Sequence, residues 1–462
     1  MGEDAVHGAP SFPIPILIGM TLLLAALVIP AARRVDGRAA RFVILGIWIR
    51  YIMSVFHTVT YRHAFAGLSW NALGSIAITA IGLVVIMPRH LMFKTLLPVY
   101  AVVALSLFSA GLNHDIPSAI DDVVKYAYFC VLMIAVYEAL RINGADRFFI
   151  PFMAAFAPLL IFQLLSIATG VVKASELDGS RSYIGGYNHE AAFSVALATF
   201  FVVVGFAPKL KRPIKVVLLV AIFVGILLAN YRTTIIAVLP LAMWFAVSGV
   251  TLRFRPEQRL FLLLGMSVVT LVALAFAATA ASERFGGLWQ FISDPGQYIK
   301  PQDQFTVDQR RLLSGRAYIW SGYIFAWLNA DQVHRLFGFG PDSWSRYFPI
   351  YPHNTAIDFL FELGTAGVIV LAFWWGSMLN LARRARGAIR TDLIAAHISF
   401  ILLNLATMAL WQIEGVILYA IVCGYSLFCV VEGRDRITRS DTRKIVSTIN
   451  GGVTGVERLQ PR

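Results

Sequence analysis

IPILIGMTLLLAALVIPAA, at residues 14–32, contains no charged side chain. A helix of about 17–25 apolar residues spans the hydrocarbon core of a bilayer. Long runs of the same kind, with almost no charge, recur at 91–107, 191–206 and 260–281. In the whole chain 58% of the residues are hydrophobic and 14% are charged, whereas a soluble domain has about 25% charged residues. The sequence therefore predicts an all-α, polytopic integral membrane protein.

The apolar runs divide the chain into four predicted parts. Transmembrane helices occupy 1–281 and 356–432, a long polar loop occupies 282–355, and a basic tail occupies 433–462. We expect about 12–13 transmembrane helices, since each needs about 20 apolar residues. The candidate spans lie at about 13–32, 42–60, 71–87, 91–112, 119–140, 148–170, 190–207, 214–230, 234–250, 260–281, 356–380, 392–411 and 413–432.

Lysine and arginine are distributed unequally between the loops that join these spans. One set of loops, together with the tail, holds 26 basic residues, and the short loops on the other side hold five. Cytoplasmic loops carry the excess of basic residues, whereas long loops cross the membrane whatever their charge. We therefore expect the C-terminus in the cytoplasm and the 282–355 loop outside. The net charge of +13 is then a topology signal, and no nucleic-acid partner is expected.

The 282–355 loop ends in residues suited to catalysis at a membrane surface. It closes with YPHN at 351–354, so that His353 and Asn354 stand at the start of the next predicted helix. Imidazole titrates near neutral pH, and the following helix N-terminus favours its neutral, basic form. His353 is therefore a candidate general base, and Asn354 is a candidate N-cap that would fix its position. The alternative is an interfacial histidine that only caps or anchors the helix.

Arginines in and near this loop are candidate ligands for a phosphate group. Arg232 is the only basic residue of the turn 230–234, and Arg310, Arg311 and Arg316 lie upstream of His353. A planar guanidinium is suited to binding phosphate through two hydrogen bonds. A snorkelling side chain is the alternative for Arg232, and simple solvation is the alternative for one or two of the loop arginines.

Other polar residues have structural interpretations as well. His189, in a second glycine-rich external loop, is suited either to binding sugar hydroxyls or to capping the next helix. Glu362 lies about 12 Å inside a predicted membrane helix, where a carboxylate needs a partner, and an ion pair with an arginine is the simplest one. Gly364 and Gly367 are predicted to be packing glycines. Arg50 is expected to find its partner inside the bundle.

The order of motifs in residues 225–380 resembles the signature region of the O-antigen ligase and O-antigen polymerase family. Arg232 matches the position of an arginine of that family, although Tyr231 precedes it here and Ser is usual. The pattern of spans agrees over nearly the whole chain. The shared motifs are, in chain order, SGR at 314–316, FGFG at 337–340, PHN at 352–354 and ELG at 362–364.

The resemblance implies a membrane glycosyltransferase of the GT-C type in a bacterial inner membrane, with its active site facing the periplasm. The donor would be an oligosaccharide on undecaprenyl diphosphate, and the acceptor would be another lipid-linked glycan or lipid A–core. His353 would take the proton of the acceptor hydroxyl. The reaction would need no metal ion, nucleotide or other cofactor. Arg232 and Arg316 would bind the diphosphate and stabilise it as it leaves. The residues themselves add Arg310, Arg311, Asn354 and His189 as candidate substrate ligands.

Three functions stay open at this stage. The first hypothesis is a polymerase that joins lipid-linked repeat units into a surface polysaccharide. The second is a ligase that transfers the same glycan to lipid A–core, and no residue of the sequence separates the two. The third is a transporter of an anion or a lipid-linked sugar. A transporter predicts inverted repeats, discontinuous helices and charged residues near the bilayer midplane, whereas the informative residues here lie in a loop and at a predicted interface.

Overall fold

The computed structural model describes residues 10–65, 67–174, 181–251 and 293–452, together with four isolated residues between 252 and 292. These parts of the chain are mostly helical and contain almost no sheet, which confirms the all-α prediction for them. Apart from residues 261 and 264, the predicted span at 260–281 lies outside the described residues. The described helices that are long and apolar enough to cross a membrane are Ile14–Arg33, Lys94–Leu112, Ile116–Thr169, Thr355–Arg383 and Ile413–Gly433.

Seventeen α-helices are present in the described parts of the chain. In chain order they are α1 (Ile14–Arg33), α2 (Arg38–Val55), α3 (His57–Thr60), α4 (Trp70–Val85), α5 (Leu97–Leu112), α6 (Ile116–Phe152), α7 (Ala157–Thr169), α8 (Glu190–Phe206), α9 (Arg212–Leu228), α10 (Arg232–Thr251), α11 (Val307–Arg311), α12 (Arg316–Leu328), α13 (Gln332–Phe337), α14 (Trp344–Tyr347), α15 (Thr355–Arg383), α16 (Ile389–Asn404) and α17 (Ile413–Gly452).

Short elements connect these helices. Two antiparallel hairpins pair β1 (His63–Phe65) with β2 (Leu68–Ser69) and β3 (Lys173–Ala174) with β4 (Arg181–Ser182). Short 3-10 helices lie at Pro88–Met92, Lys94–Leu96, Met153–Phe156, Pro295–Tyr298, Gln302–Gln304 and Leu312–Gly315.

Large aromatic side chains fill the centre of the bundle, where α6, α15, α16 and α17 meet. Tyr419 stacks on Phe400 with ring centroids 4.0 Å apart, and Trp374 meets Phe129 edge-on at 5.2 Å. All four side chains are buried. By contrast, α1, α4 and α9 expose many of their apolar side chains. An inner core with exposed apolar outer helices is the pattern expected of a protein embedded in a membrane.

Some predicted spans differ from the helices by a few residues at their ends. The predicted span at 91–112 begins as a helix only at Leu97, because Lys94–Leu96 is a 3-10 helix. The predicted spans 119–140 and 148–170 meet within α6, which runs to Phe152 but consists of two helices separated by a kink. A single non-helical residue, Gly144 (φ 69°, ψ 160°), breaks α6 between the two predicted spans. Glycine reaches this backbone conformation without a steric penalty.

The helix that follows His353 is also broken. Gly364 in α15 has φ 68° and ψ −163°, which opens the helical hydrogen-bond pattern around it. The carbonyl groups of Phe361 and Glu362 accept hydrogen bonds from the backbone N–H groups of Phe339 and Gly340, each at 3.0 Å. The segment that precedes α14 therefore docks on the open turn of α15. Gly364 forms the break, and its prediction as a packing glycine is also confirmed, because a Cβ atom there would lie 2.4 Å from the backbone of Leu336.

The C-terminal end of α5 also contacts the place where residues 337–340 dock on α15. The Ser109 hydroxyl lies 2.6 Å from the carbonyl oxygen of Phe337 and 3.0 Å from that of Glu362. The side-chain amide of Asn113 donates to the carbonyl oxygen of Gly338 at 3.2 Å. A Cβ atom on Gly338 would lie 2.2 Å from the backbone carbonyl of Glu362, so the close approach requires glycine at this position.

The partner of Glu362 differs from the predicted one. Glu362 lies in a group of charged residues in which the neighbouring cation is Lys125 of α6. Lys125 forms an ion pair with Asp122 at 2.9 Å, and Asp358 belongs to the same group. The predicted ion pair of Glu362 with an arginine is therefore wrong.

Gly364→Ala is expected to destabilise the protein more than Gly144→Ala. The two glycines have nearly the same backbone conformation, and strain of this kind costs a substituted residue about 1–3 kcal/mol. Only at Gly364 would the added methyl group also meet backbone, because it would lie 2.4 Å from the carbonyl of Leu336. The space beside Gly144 is open. The midpoint of thermal unfolding in detergent micelles measures the difference, and equal losses would contradict the docking of α13 on α15.

Candidate functional site

His353 directly precedes Asn354, the residue that caps the start of α15. The Asn354 side-chain oxygen accepts hydrogen bonds from the N–H groups of Ala356 (2.9 Å) and Ile357 (3.3 Å), so the predicted N-cap is confirmed. The Asn354 amide group donates to the carbonyl oxygen of Leu405 at 2.9 Å, which ties the start of α15 to the end of α16. These bonds satisfy helix donors that have no intrahelical partner.

Helix α12 holds the segment that carries His353. The Trp320 indole N–H donates to the carbonyl oxygen of Pro352 at 2.7 Å, and the Tyr323 hydroxyl donates to that of Ile350 at 2.8 Å. Arg316 lies four residues before Trp320, and residues four apart share one face of a helix. The face of α12 that contacts the segment before His353 therefore also presents Arg316.

Arg316 reaches a second part of the predicted site. Its Nη2 atom donates to the Oγ1 atom of Thr233 at 3.3 Å. Thr233 is the second residue of α10, which begins at Arg232, and both arginine side chains are half-buried. The neighbouring Thr234 hydroxyl lies 2.9 Å from that of Ser194 in α8, which fixes the start of α10 in the bundle. Arg316 and the start of α10 thus form one corner, although they are far apart in sequence.

The environment of His353 favours the neutral imidazole. The side chain is half-buried, and the residue has a positive φ of 53°, which is uncommon outside glycine. Burial, the largest cause, together with the positive charge of Arg316 and the neighbouring His189, lowers the pKa of His353 to about 4. At neutral pH the imidazole is therefore uncharged and has a free electron pair for a proton.

His189 caps a helix and also belongs to this corner. Its Nδ1 atom accepts a hydrogen bond from the Ala191 N–H at 3.1 Å, which confirms the capping alternative. Burial, with the charge of Lys173, lowers the pKa of His189. Because Nδ1 is an acceptor, the neutral ring carries its proton on Nε2, where it can donate to a ligand. The ring meets Tyr231 edge-on, with centroids 6.4 Å apart.

Arg310 and Arg311 occupy a different position from Arg316. Both are exposed at the end of α11, and the Arg310 guanidinium lies over the ring of Tyr318 at 5.5 Å. They belong to the same segment as Arg316, but the contacts that join Arg316 to the start of α10 do not include them. Their assignment as substrate ligands stays a prediction.

Four further residues lie at this corner and were not singled out in the sequence. The Tyr351 ring lies 4.1 Å from that of His353 and stacks on Trp411 at 5.1 Å. The Thr407 hydroxyl lies 3.0 Å from that of Tyr231. Tyr351 and Tyr231 each stand next to a predicted motif, and this adjacency was the only available signal. Trp411 and Thr407 come from the connection between α16 and α17, which has no motif of its own.

The corner combines a proton acceptor with a fixed cation. A neutral imidazole can take a proton from a hydroxyl group, and guanidinium groups can stabilise the negative charge that develops on a leaving phosphate. No protein-family model matches the chain, and no curated protein matches it in sequence. The resemblance seen in the motif order therefore stays a prediction, and the function is argued from this corner.

An NMR titration of histidine-labelled protein in nanodiscs is expected to give His353 a pKa of about 4. Arg316→Gln should raise this pKa, because it removes a nearby positive charge that disfavours the imidazolium ion. The rise should stop short of about 6.5, since burial is the larger cause and is retained. Arg335→Gln, at an exposed position on α13, is the control and should leave the pKa unchanged. An unchanged pKa in Arg316→Gln would show that Arg316 does not face His353.

Proposed function

We propose that the protein is a membrane glycosyltransferase that transfers a glycan from undecaprenyl diphosphate to a sugar hydroxyl on the periplasmic face of a bacterial inner membrane. The observation that supports this function best is the position of Arg316 between the start of α10 and the segment of His353. This corner places a neutral base beside a cation at the end of an apolar helix bundle. The motif order of the sequence supports the same reaction.

In the proposed reaction, the acceptor hydroxyl oxygen attacks the anomeric carbon of the donor sugar. The new glycosidic bond forms as the bond between that carbon and the phosphate oxygen breaks, and the electron pair leaves with undecaprenyl diphosphate. The hydroxyl proton passes to His353. Arg316 and Arg232 bind the diphosphate and stabilise the negative charge that grows on it. Such fixed donors contribute most where water is excluded, and both side chains are half-buried.

Polymerisation of repeat units is the first form of this proposal, and ligation to lipid A–core is the second. Both reactions use the same donor and differ only in the acceptor. They are distinguished when the purified protein receives lipid-linked repeat units with and without lipid A–core. A ladder of lengthened lipid-linked glycans identifies a polymerase, and glycan on lipid A–core identifies a ligase.

His353→Ala is expected to abolish transfer while the protein stays in the membrane at normal abundance. The side chain is half-buried at the end of a helix, so its loss leaves no large internal cavity. In the wild type, kcat/KM for the donor should be constant near neutral pH. It should then fall as the pH decreases through about 4, because protonation removes the base of the free enzyme. Wild-type product from His353→Ala would remove His353 from the mechanism.

Arg316→Lys is expected to reduce turnover strongly, by about tenfold or more, and Arg232→Lys should behave alike. An ammonium group keeps the charge, but it does not reproduce the planar fork that binds phosphate through two bonds. Arg335→Lys is the matched control, since Arg335 lies in an exposed position on α13 and donates to the carbonyl of Leu328. The measurement is donor consumption in detergent.

The same assay, run with EDTA, tests whether arginines act without a metal ion. Activity that disappears with EDTA and returns with Mg²⁺ or Mn²⁺ would overturn that part of the proposal. Arg316→Lys and Arg232→Lys variants as active as Arg335→Lys would overturn the diphosphate assignment.

A transporter of an anion or a lipid-linked sugar is the second candidate, and one observation favours it. Helix α15 is discontinuous at Gly364, and two acidic residues, Asp358 and Glu362, lie within the six residues before that break. Broken helices with nearby charges are typical of transporter binding sites. Uptake of lipid-linked sugar into proteoliposomes, without formation of a new glycosidic bond, would support this candidate against the glycosyltransferase.

A further inference from the structure

The ring of Tyr351 contacts His353, and a second aromatic ring, that of Trp411, lies next to Tyr351. Tyr351 stacks on Trp411, with ring centroids 5.1 Å apart and an angle of 23° between the ring planes. Burial and the neighbouring Tyr231 raise the pKa of Tyr351 to about 12, so its hydroxyl stays protonated. Trp411 keeps 37% of its surface exposed, although it stacks on another ring. Tyr351, Trp411 and Tyr231 are called the aromatic wall below.

The backbone that carries Trp411 is held in a defined shape. The Asn404 side-chain oxygen accepts hydrogen bonds from the Leu410 N–H at 2.9 Å and from the Thr355 hydroxyl at 2.8 Å. The backbone N–H of Trp411 donates to the carbonyl oxygen of Met408 at 2.9 Å, and Met408 has a positive φ of 54°. Asn404 therefore joins the connection that carries Trp411 to the start of α15, the helix that fixes His353.

Polar groups lie at the Tyr231 end of the aromatic wall. The hydroxyls of Thr407 and Tyr231 lie 3.0 Å apart, and His189 meets the Tyr231 ring edge-on. A site with apolar ring faces in its centre and donors at its edge matches a pyranose. A pyranose has an apolar face of C–H groups, and hydroxyl groups project from its rim.

We propose that the aromatic wall binds one pyranose ring of the acceptor glycan, with Trp411 against its C–H face, Tyr351 supporting Trp411 from behind, and Thr407, Tyr231 and His189 near its hydroxyls. This inference rests on the proposed glycan transfer. The position of the wall favours the acceptor, because Tyr351 lies 4.1 Å from His353, the group that takes the acceptor proton. The donor diphosphate is assigned to Arg316 and Arg232.

A tryptophan at a membrane surface has a simpler explanation, since Trp and Tyr are enriched where lipid head groups meet the hydrocarbon core. Trp70 is a matched control for that explanation. It begins α4, it is 55% exposed, and it lies on the same side as Trp411 in the predicted topology. If Trp411 only anchors the protein in the interface, replacement of either tryptophan should have the same effect.

The test measures binding of a soluble oligosaccharide by titration calorimetry, without donor, to the full-length protein in nanodiscs. The probe is the repeat-unit oligosaccharide released by mild acid from the lipid-linked intermediates of the host cell. Trp411→Ala is expected to weaken its binding about tenfold, which corresponds to about 1.4 kcal/mol. Trp411→Phe should weaken binding less, because it keeps an aromatic face, and Trp70→Ala should leave binding unchanged.

Transfer kinetics separate this inference from the proposed function. In the transfer assay, Trp411→Ala should raise KM for the acceptor and leave KM for the donor unchanged, which also shows that the variant is folded. Transfer with an unchanged acceptor KM in Trp411→Ala would overturn the aromatic wall while the glycosyltransferase stands. Binding that depends on Trp411 in a protein without transfer activity would support the sugar site and overturn the glycosyltransferase. Equal effects of Trp411→Ala and Trp70→Ala would overturn the inference in favour of a membrane anchor.

Discussion

The structure depends on the open backbone of α15 around Gly364. A carbonyl group without a partner in an apolar environment costs several kcal/mol, so a helix can break there only if another segment supplies donors. The N–H groups of Phe339 and Gly340 are those donors. Both sides of this junction require glycine. A side chain on Gly338 would clash with the backbone of Glu362, and one on Gly364 would clash with the backbone of Leu336. The break in α15 therefore anchors the long polar segment that precedes this helix.

This anchor leaves the polar segment little freedom at the candidate site. From the junction, the chain returns to α15 through residues 350–352, which α12 holds through Trp320 and Tyr323. The same helix begins at Arg316, which contacts the start of α10. The base and the cation are therefore positioned by packed helices and not by a mobile loop. Groups held in place before the substrate arrives need little reorganisation during a reaction, which favours electrostatic stabilisation.

Sequence patterns predicted the parts of this arrangement that follow from local chemistry. Long apolar runs predicted the helices, and an asparagine before an apolar run predicted the cap at Asn354. The patterns failed where a residue depends on a distant partner. The break at Gly364 is stabilised by residues that precede α14, and the cation beside Glu362 comes from α6. Trp411 lies in a connection without a motif, so only the folded chain brings it near His353.

The burial of His353 has a consequence for the order of the proposed reaction. A base with a pKa of about 4 is too weak to remove the proton of a sugar hydroxyl before the hydroxyl attacks. Part of that weakness comes from the positive charge of Arg316. A diphosphate bound to Arg316 would neutralise this charge and add negative charge near the imidazole, which raises the affinity of His353 for a proton. Donor binding would thus strengthen the base, and proton transfer would follow as the bond to the leaving diphosphate breaks. The same arrangement would keep His353 inactive toward acceptor hydroxyls while the donor site is empty.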